Sequence, residues 1–70
     1  MSAGDVVGRT GIVTTTIPRG GIGEVRVSMG LGSQTFGAYA SNRGISLPGG
    51  TKVTVLEYFP PRTVIVSADQ

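Results

Sequence analysis

Residues 23–40, with the sequence GEVRVSMGLGSQTFGAYA, carry the pattern that decides the fold. In residues 23–29 apolar and polar side chains alternate, which is typical of a β-strand with one buried and one solvent-facing side. The glycine-rich residues 30–33 predict a tight turn, and residues 34–40 take up the alternation again. The stretch therefore predicts a β-hairpin. The residues expected on its buried face are Val25, Val27, Met29, Phe36, Ala38 and Ala40.

Three further segments, outside this hairpin, are rich in β-branched residues and predict strands. The first covers residues 8–17 and ends at a turn rich in proline and glycine. The second and third cover residues 51–59 and 63–67, and the two prolines between them force a turn. The sequence therefore predicts five strands.

The predicted fourth strand and the segment before it carry two local signals. Val53 and Val55 are the inward positions of the strand, and Leu56 breaks the alternation, which indicates a β-bulge. The preceding residues 41–50 contain three glycines and one proline. We therefore expect no helix of useful length between the third and fourth strands.

Five short strands without a helix leave sheet edges that a small chain protects best by closing the sheet into a barrel. We therefore predict an all-β fold, a small five-stranded antiparallel barrel of the oligonucleotide/oligosaccharide-binding (OB) type. Gly8 and Gly11, near the start of the first strand, would permit the necessary curvature. A small Src-homology-type barrel has a similar number of strands in a different order, and the pattern leaves this alternative open.

The length of 70 residues suffices for one domain, and 39% hydrophobic with 14% charged residues is typical of a folded chain. No apolar run approaches the ~20 residues that a membrane helix needs. We expect residues 1–5 to form a flexible leader, residues 6–67 the barrel and residues 68–70 a frayed tail.

Residue types that support catalysis are scarce. The chain has no histidine and no cysteine, which removes the commonest general base, the thiol nucleophile and most metal ligands. Its four carboxylates are spread along the sequence, and Lys52 is the single lysine that could activate a serine. We therefore predict no catalytic residue, no metal site, no cofactor and no enzymatic activity.

Binding of single-stranded nucleic acid is the alternative function for an OB-type barrel. The six basic residues are scattered singly, although they give the chain a net charge of +2. On the outward sides of the second and third strands we expect one aromatic residue, Tyr39, one basic residue, Arg26, and one acidic residue, Glu24. A site with a single stacking ring would be weak, so we do not expect nucleic acid to be a partner.

Apolar residues at the predicted turns are candidates for contact with a partner. The aromatic and proline residues between the fourth and fifth strands cannot all reach the core, and they either contact a partner or cap the barrel. The same two interpretations apply to the apolar residues of the segment between the third and fourth strands. The candidate partner-binding residues are Tyr58, Phe59, Pro60, Arg62, Ile45 and Leu47.

Short glycine and valine motifs follow one another in a recognisable order over residues 6–67. They are VGRTG at 7–11, TTTI at 14–17 followed by Pro18 and two glycines, GEV at 23–25, Ala38, Ile45, PGGTKVTV at 48–55, and TVIV at 63–66. This order resembles the C-terminal soluble domain of NfeD-like membrane proteins.

The resemblance implies an OB-type barrel that lacks the usual helix between strands three and four. It also implies a non-catalytic module that recruits or stabilises a flotillin/stomatin-like membrane scaffold protein. The resemblance further implies N-terminal transmembrane helices in natural members and a serine-protease domain in long members, and we expect neither in these 70 residues. We expect the isolated domain to be monomeric and, in a prokaryotic membrane protein, to lie on the cytoplasmic face.

Overall fold

The computed structural model of the chain describes residues 6–69, and within them five β-strands follow one another as predicted. The predicted leader, residues 1–5, and Gln70 of the predicted tail lie outside the described residues. No helix within residues 6–69 has the length and hydrophobicity to cross a bilayer. The strands are β1 Thr10–Thr15, β2 Gly23–Ser28, β3 Ser33–Ala40, β4 Lys52–Phe59 and β5 Thr63–Ala68.

The first strand is shorter than the predicted residues 8–17, for a reason at each of its ends. At its start, Gly8 adopts a positive φ of 89° and its N–H donates to Val55 O at 2.8 Å, so the chain leaves the strand direction there. At its end, the pairing with β2 shifts register between Val13 and Thr15. Ile17 is then part of an isolated bridge with Leu47.

The strands close into a barrel in the order β1-β2-β3-β5-β4, and β4 pairs with β1 to complete it. This order confirms the OB-type barrel and decides against the Src-homology alternative. One detail of the prediction is wrong, because β3 and β5 run parallel while the other pairs are antiparallel. The reason is that residues 41–51, which contain no helix, cross the end of the barrel and deliver β4 beside β1 rather than beside β3. β5 therefore returns to β3 in the same direction.

The barrel encloses an apolar core. Val25, Val27, Val53 and Val55 are all at most 1% exposed, which confirms the inward positions that the alternation predicts. The bulge predicted at Leu56 is also present, since the register with β5 shifts between Val55 and Glu57. Phe36, Ala38 and Ala40 are buried, and Met29 packs against the core.

Ala68 and Asp69, which the sequence assigns to a frayed tail, are both bonded to the sheet. Ala68 belongs to β5 and pairs with Val53. The N–H of Asp69 donates to Lys52 O at 2.8 Å, and its Oδ1 accepts a hydrogen bond from Thr54 Oγ1, also at 2.8 Å. These bonds extend the sheet to Asp69.

The strand directions define two ends of the barrel. β1, β3 and β5 run one way, while β2 and β4 run the other. The β2–β3 turn and the β4–β5 turn therefore share one end, which we call the hairpin end. The β1–β2 loop and the β3–β4 segment share the other, which we call the loop end. Every candidate residue for partner binding lies at or near one of these two ends.

Candidate partner-binding surface

Tyr58 fastens the β4–β5 turn to the barrel. Beyond the bulge at Leu56, Tyr58 is half-buried, and its ring meets Phe36 edge to face with 6.2 Å between the ring centroids. Its hydroxyl donates a hydrogen bond to Pro61 O at 2.8 Å. An edge-to-face pair contributes about 0.5–1.5 kcal/mol beyond burial. Tyr58 therefore stabilises the turn from beneath, and only part of its side chain is exposed to a partner.

Phe59, the next residue, faces outward and is 48% exposed. It pairs with Thr63 across the hairpin, and Thr63 in turn pairs with Gly37 on β3. Pro60 is exposed and is joined to Pro61 by a cis peptide bond. The turn thus presents an aromatic ring beside two rigid residues.

Arg62 is exposed and ties the β4–β5 turn to β3 through two hydrogen bonds. Its backbone oxygen accepts from Gly37 N at 2.9 Å, and its Nη1 donates to Thr35 O at 3.3 Å. A guanidinium has five N–H donors, so this single side-chain bond leaves the others available to a carboxylate. Arg62 therefore holds the turn in place and still offers a charge to a partner.

Ile22 lies near these residues, although the sequence pattern does not single it out. It is 51% exposed, and its Cδ1 stands 3.1 Å from where a Cβ on Gly37 would be. Adjacent strands are about 4.8 Å apart, so Gly37 and Phe59, two strands apart, are separated by about 10 Å. The absence of a side chain at Gly37, an outward position of β3, is the signal that could have pointed to Ile22. We call Ile22, Gly37, Phe59, Arg62 and Thr63 together the Phe59 surface.

The two candidates in the β3–β4 segment do not belong to the Phe59 surface, and they differ from each other in their exposure. Ile45, at the loop end, is 40% exposed. Leu47 is buried at 4% exposure, which favours the cap of the barrel over the partner contact among the two interpretations that the sequence leaves open. The reason is the bridge with Ile17, in which each backbone N–H donates to the partner's carbonyl at 2.8 and 2.9 Å. This bridge draws Leu47 into the open end of the barrel, where it completes the core.

The outward side of β2 and β3 carries the residues considered for nucleic acid. Tyr39 is half-buried, and the Arg43 guanidinium lies 5.4 Å from its ring centroid, where it covers one face. Glu24 is exposed on β2 and accepts a hydrogen bond from Thr15 Oγ1 at 3.1 Å. Stacking of bases needs open aromatic faces, and this side offers one partly covered ring beside a carboxylate.

The family model for the NfeD C-terminal domain matches residues 10–67, from the start of β1 into β5. The chain belongs to this family. The soluble domain of the NfeD protein YuaF from Bacillus subtilis is similar in structure, with a TM-score of 0.78 and 28% sequence identity. That similarity covers 91% of this chain and 74% of the YuaF domain. No curated protein sequence matches the chain.

Two more distant structures share the fold of this NfeD C-terminal domain. One is the C-terminal domain of stomatin operon partner protein 1510-C from Pyrococcus horikoshii, with a TM-score of 0.77 and 20% identity over 100% of this chain and 97% of that one. The other is the soluble domain of a Corynebacterium glutamicum membrane protein implicated in regulation of membrane protease activity. Its TM-score is 0.80, with 20% identity over 99% of this chain and 100% of that one.

Proposed function

We propose that this NfeD C-terminal domain is a non-catalytic interaction module that recruits or stabilises a flotillin/stomatin-like membrane scaffold protein through the Phe59 surface. The observation that carries the proposal is the half-exposed Phe59 ring on a turn that is fixed from two sides. Tyr58 fixes it through Pro61 O, and Arg62 fixes it through Gly37 N. The name of the 1510-C protein, a stomatin operon partner, supports this class of partner.

Rigidity favours Phe59 as the main contact. A side chain that is ordered before binding loses little conformational entropy on docking, and aromatic residues in such positions often dominate an interface. Truncation of an anchor of this kind costs about 2 kcal/mol or more of binding free energy. Ile22 extends the apolar area toward β2, and the remaining donors of Arg62 suit a carboxylate of the partner. We expect the partner to present an apolar pocket beside an acidic residue.

Attachment to the membrane and the side of the membrane on which the domain lies form part of the same proposal. Membrane attachment would come from N-terminal helices of a longer protein, and the domain would face the cytoplasm. Ile45 lies at the loop end and would then contribute to a different contact or to none. The proposal therefore gives the Phe59 surface and the β3–β4 segment different roles.

Co-purification tests the proposal. The full-length protein that contains this domain is captured with a stomatin- or flotillin-like protein from the same organism, as wild type and as Phe59→Ala and Arg62→Ala variants. We expect at least tenfold less scaffold protein with Phe59→Ala, and a further loss in the double variant. Leu56→Ala is the matched control, because Leu56 is 44% exposed on the same strand.

Three outcomes would contradict the proposal in different ways, the third measured with an added Ile45→Ala variant. Unchanged co-purification in a normally folded double variant would exclude the Phe59 surface as the contact. Absence of any scaffold protein in wild-type preparations would exclude the function itself. Loss of binding with Ile45→Ala alone would move the contact to the loop end.

A further inference from the structure

A groove of about 220 Å³ lies on the outer side of β1, β2 and β4, and its lining residues do not belong to the Phe59 surface. Ile12 forms part of its floor and pairs with Arg26 on β2 and with Lys52 on β4. Since neighbouring strands are about 4.8 Å apart, the backbones of the two basic residues lie about 10 Å apart across the groove. The hydroxyl-bearing side chains that also line it are Thr10, Ser28 and Ser33.

In the part of the chain that the structure describes, the two cations of the groove have no counter-charge. Within residues 6–69, neither Arg26 nor Lys52 has a hydrogen-bond or ion-pair partner for its side chain. The carboxylates nearest to them along the sheet are bound to threonines, Glu24 to Thr15 at 3.1 Å and Asp69 to Thr54 at 2.8 Å. Two like charges side by side without a counter-ion create a positive potential that attracts anions. The groove is therefore suited to a ligand with negative charge.

The β2–β3 hairpin continues this groove into an apolar tip. Ser28 and Ser33, which line the groove, are the last pair of the hairpin. Beyond them, Leu31 is fully exposed at 107% of its reference area, between Gly30 and Gly32. Gly30 has a φ of 88°, which requires glycine, and Met29 N donates to Gly32 O at 2.7 Å to close the turn. The turn thus holds the leucine away from the barrel.

A third basic residue stands at the base of this tip. Arg9 Nη1 lies 3.4 Å from Ser28 O, to which it donates a hydrogen bond. Arg9 thus stands at the base of the tip that carries Leu31, and Arg26 and Lys52 line the groove below it, with exposed Ile12 between them. Cations beside an apolar projection are the two elements of an interfacial membrane contact.

We propose that the β2–β3 tip and the basic groove dock on the surface of a bilayer that contains anionic phospholipids. The lipid phosphates pair with Arg26 and Lys52, while Leu31 enters the boundary between headgroups and acyl chains. A fluid interface accepts a single projecting leucine without a complementary pocket. Single-stranded nucleic acid fits less well, since no aromatic residue lines the groove and Leu31 adds nothing to base stacking.

The expected affinity is weak, and the contributions of the basic residues and of Leu31 can be measured separately. Each basic residue close to an anionic membrane surface contributes roughly fivefold in affinity, or about 1 kcal/mol. We therefore expect Arg26→Ala/Lys52→Ala to lower binding by roughly 25-fold. Leu31→Ser removes a side chain that buries several carbon atoms, and we expect roughly tenfold weaker binding from it.

Vesicle co-sedimentation of the 70-residue chain tests the proposal. The lipid is phosphatidylcholine alone or phosphatidylcholine mixed with phosphatidylglycerol, both at millimolar accessible lipid. We expect binding to the mixed vesicles only, and its loss as added salt shortens the Debye length from about 10 Å at 0.1 M to about 3 Å at 1 M. Arg19→Ala and Ile45→Ser, exposed residues of the loop end, are the matched controls and should bind as wild type.

The same experiment has outcomes that would overturn the proposal. Equal binding to both vesicle types, binding to neither, or wild-type binding by folded Arg26→Ala/Lys52→Ala would each do so. Parallel titrations use inorganic phosphate and a single-stranded oligonucleotide. Binding of either one in the absence of vesicle binding would also exclude the bilayer as the ligand. The scaffold interaction is scored separately with Phe59→Ala, which should leave vesicle binding unchanged.

Discussion

Gly23 begins β2 at a point where the backbone at the end of β1 leaves no room for a side chain. A Cβ at this position would stand 2.5 Å from the carbonyl oxygens of Thr15 and Thr16, and 2.8 Å from Ile17 Cα. These are backbone atoms next to the register shift of β1, so they cannot rotate aside as a side chain would. We therefore predict that Gly23→Ala destabilises the barrel by forcing the two strands apart.

The magnitude follows from two opposing effects. An extra methyl group in a well-packed site costs about 1–3 kcal/mol, and three backbone contacts place Gly23→Ala at the upper end of this range. Replacement of glycine by alanine also restricts the unfolded chain, which stabilises by about 0.4–1 kcal/mol. The net expectation is a loss of about 2 kcal/mol in the free energy of unfolding.

Urea unfolding followed by circular dichroism measures this loss. With a denaturant slope of about 1 kcal/mol/M for a small domain, the midpoint should fall by about 2 M. Gly32→Ala is the control, because a Cβ there meets no heavy atom within 4 Å and the residue has no positive φ. We expect its midpoint to stay or to rise slightly. A midpoint for Gly23→Ala at or above that of the wild type would refute the steric reasoning.

Three further predictions use the same domain. Val27→Asp should unfold it, because Val27 is fully buried and the new charge would have no partner. Arg26→Asp, on the outward side of β2, should remain folded. A cooperative thermal transition in Val27→Asp would show that the inward face is wrongly assigned. Tyr58→Ala should lower the melting temperature more than Phe59→Ala in a thermal scan, since only Tyr58 combines the Phe36 contact with the Pro61 hydrogen bond. An equal loss of melting temperature would indicate that Phe59 is a cap of the barrel. Titration with a single-stranded oligonucleotide at physiological salt should show no micromolar binding; such binding, lost on Arg26→Ala or Tyr39→Ala, would restore the nucleic-acid function.

Much of the barrel could be predicted because its signals are local. The alternation of residues 23–29 placed Val25 and Val27 inside, and one residue out of phase, Leu56, indicated the bulge. The parallel pairing of β3 with β5 depends on where the chain crosses the barrel end, which no short-range pattern records.

The candidate surface was harder to predict for the same reason. The turn residues 58–62 were recognisable from composition, but burial of Leu47 depends on a bridge to Ile17, thirty residues earlier in the chain. The contribution of Ile22 depends on the side chain missing from Gly37 on the next strand. Neither contact has a periodicity that a single sequence reveals.

The bridge between Ile17 and Leu47 also bears on how this domain can diverge. Many barrels of this type close one end with a helix, whereas here a single leucine and two backbone hydrogen bonds perform that task. The residues between Ala40 and this bridge are exposed and lie outside the core. Their length and chemistry can therefore change across evolution, or accept an engineered epitope, as long as Leu47 keeps its place. The loop end is thus the part of the barrel where a new specificity can arise at the least cost to folding.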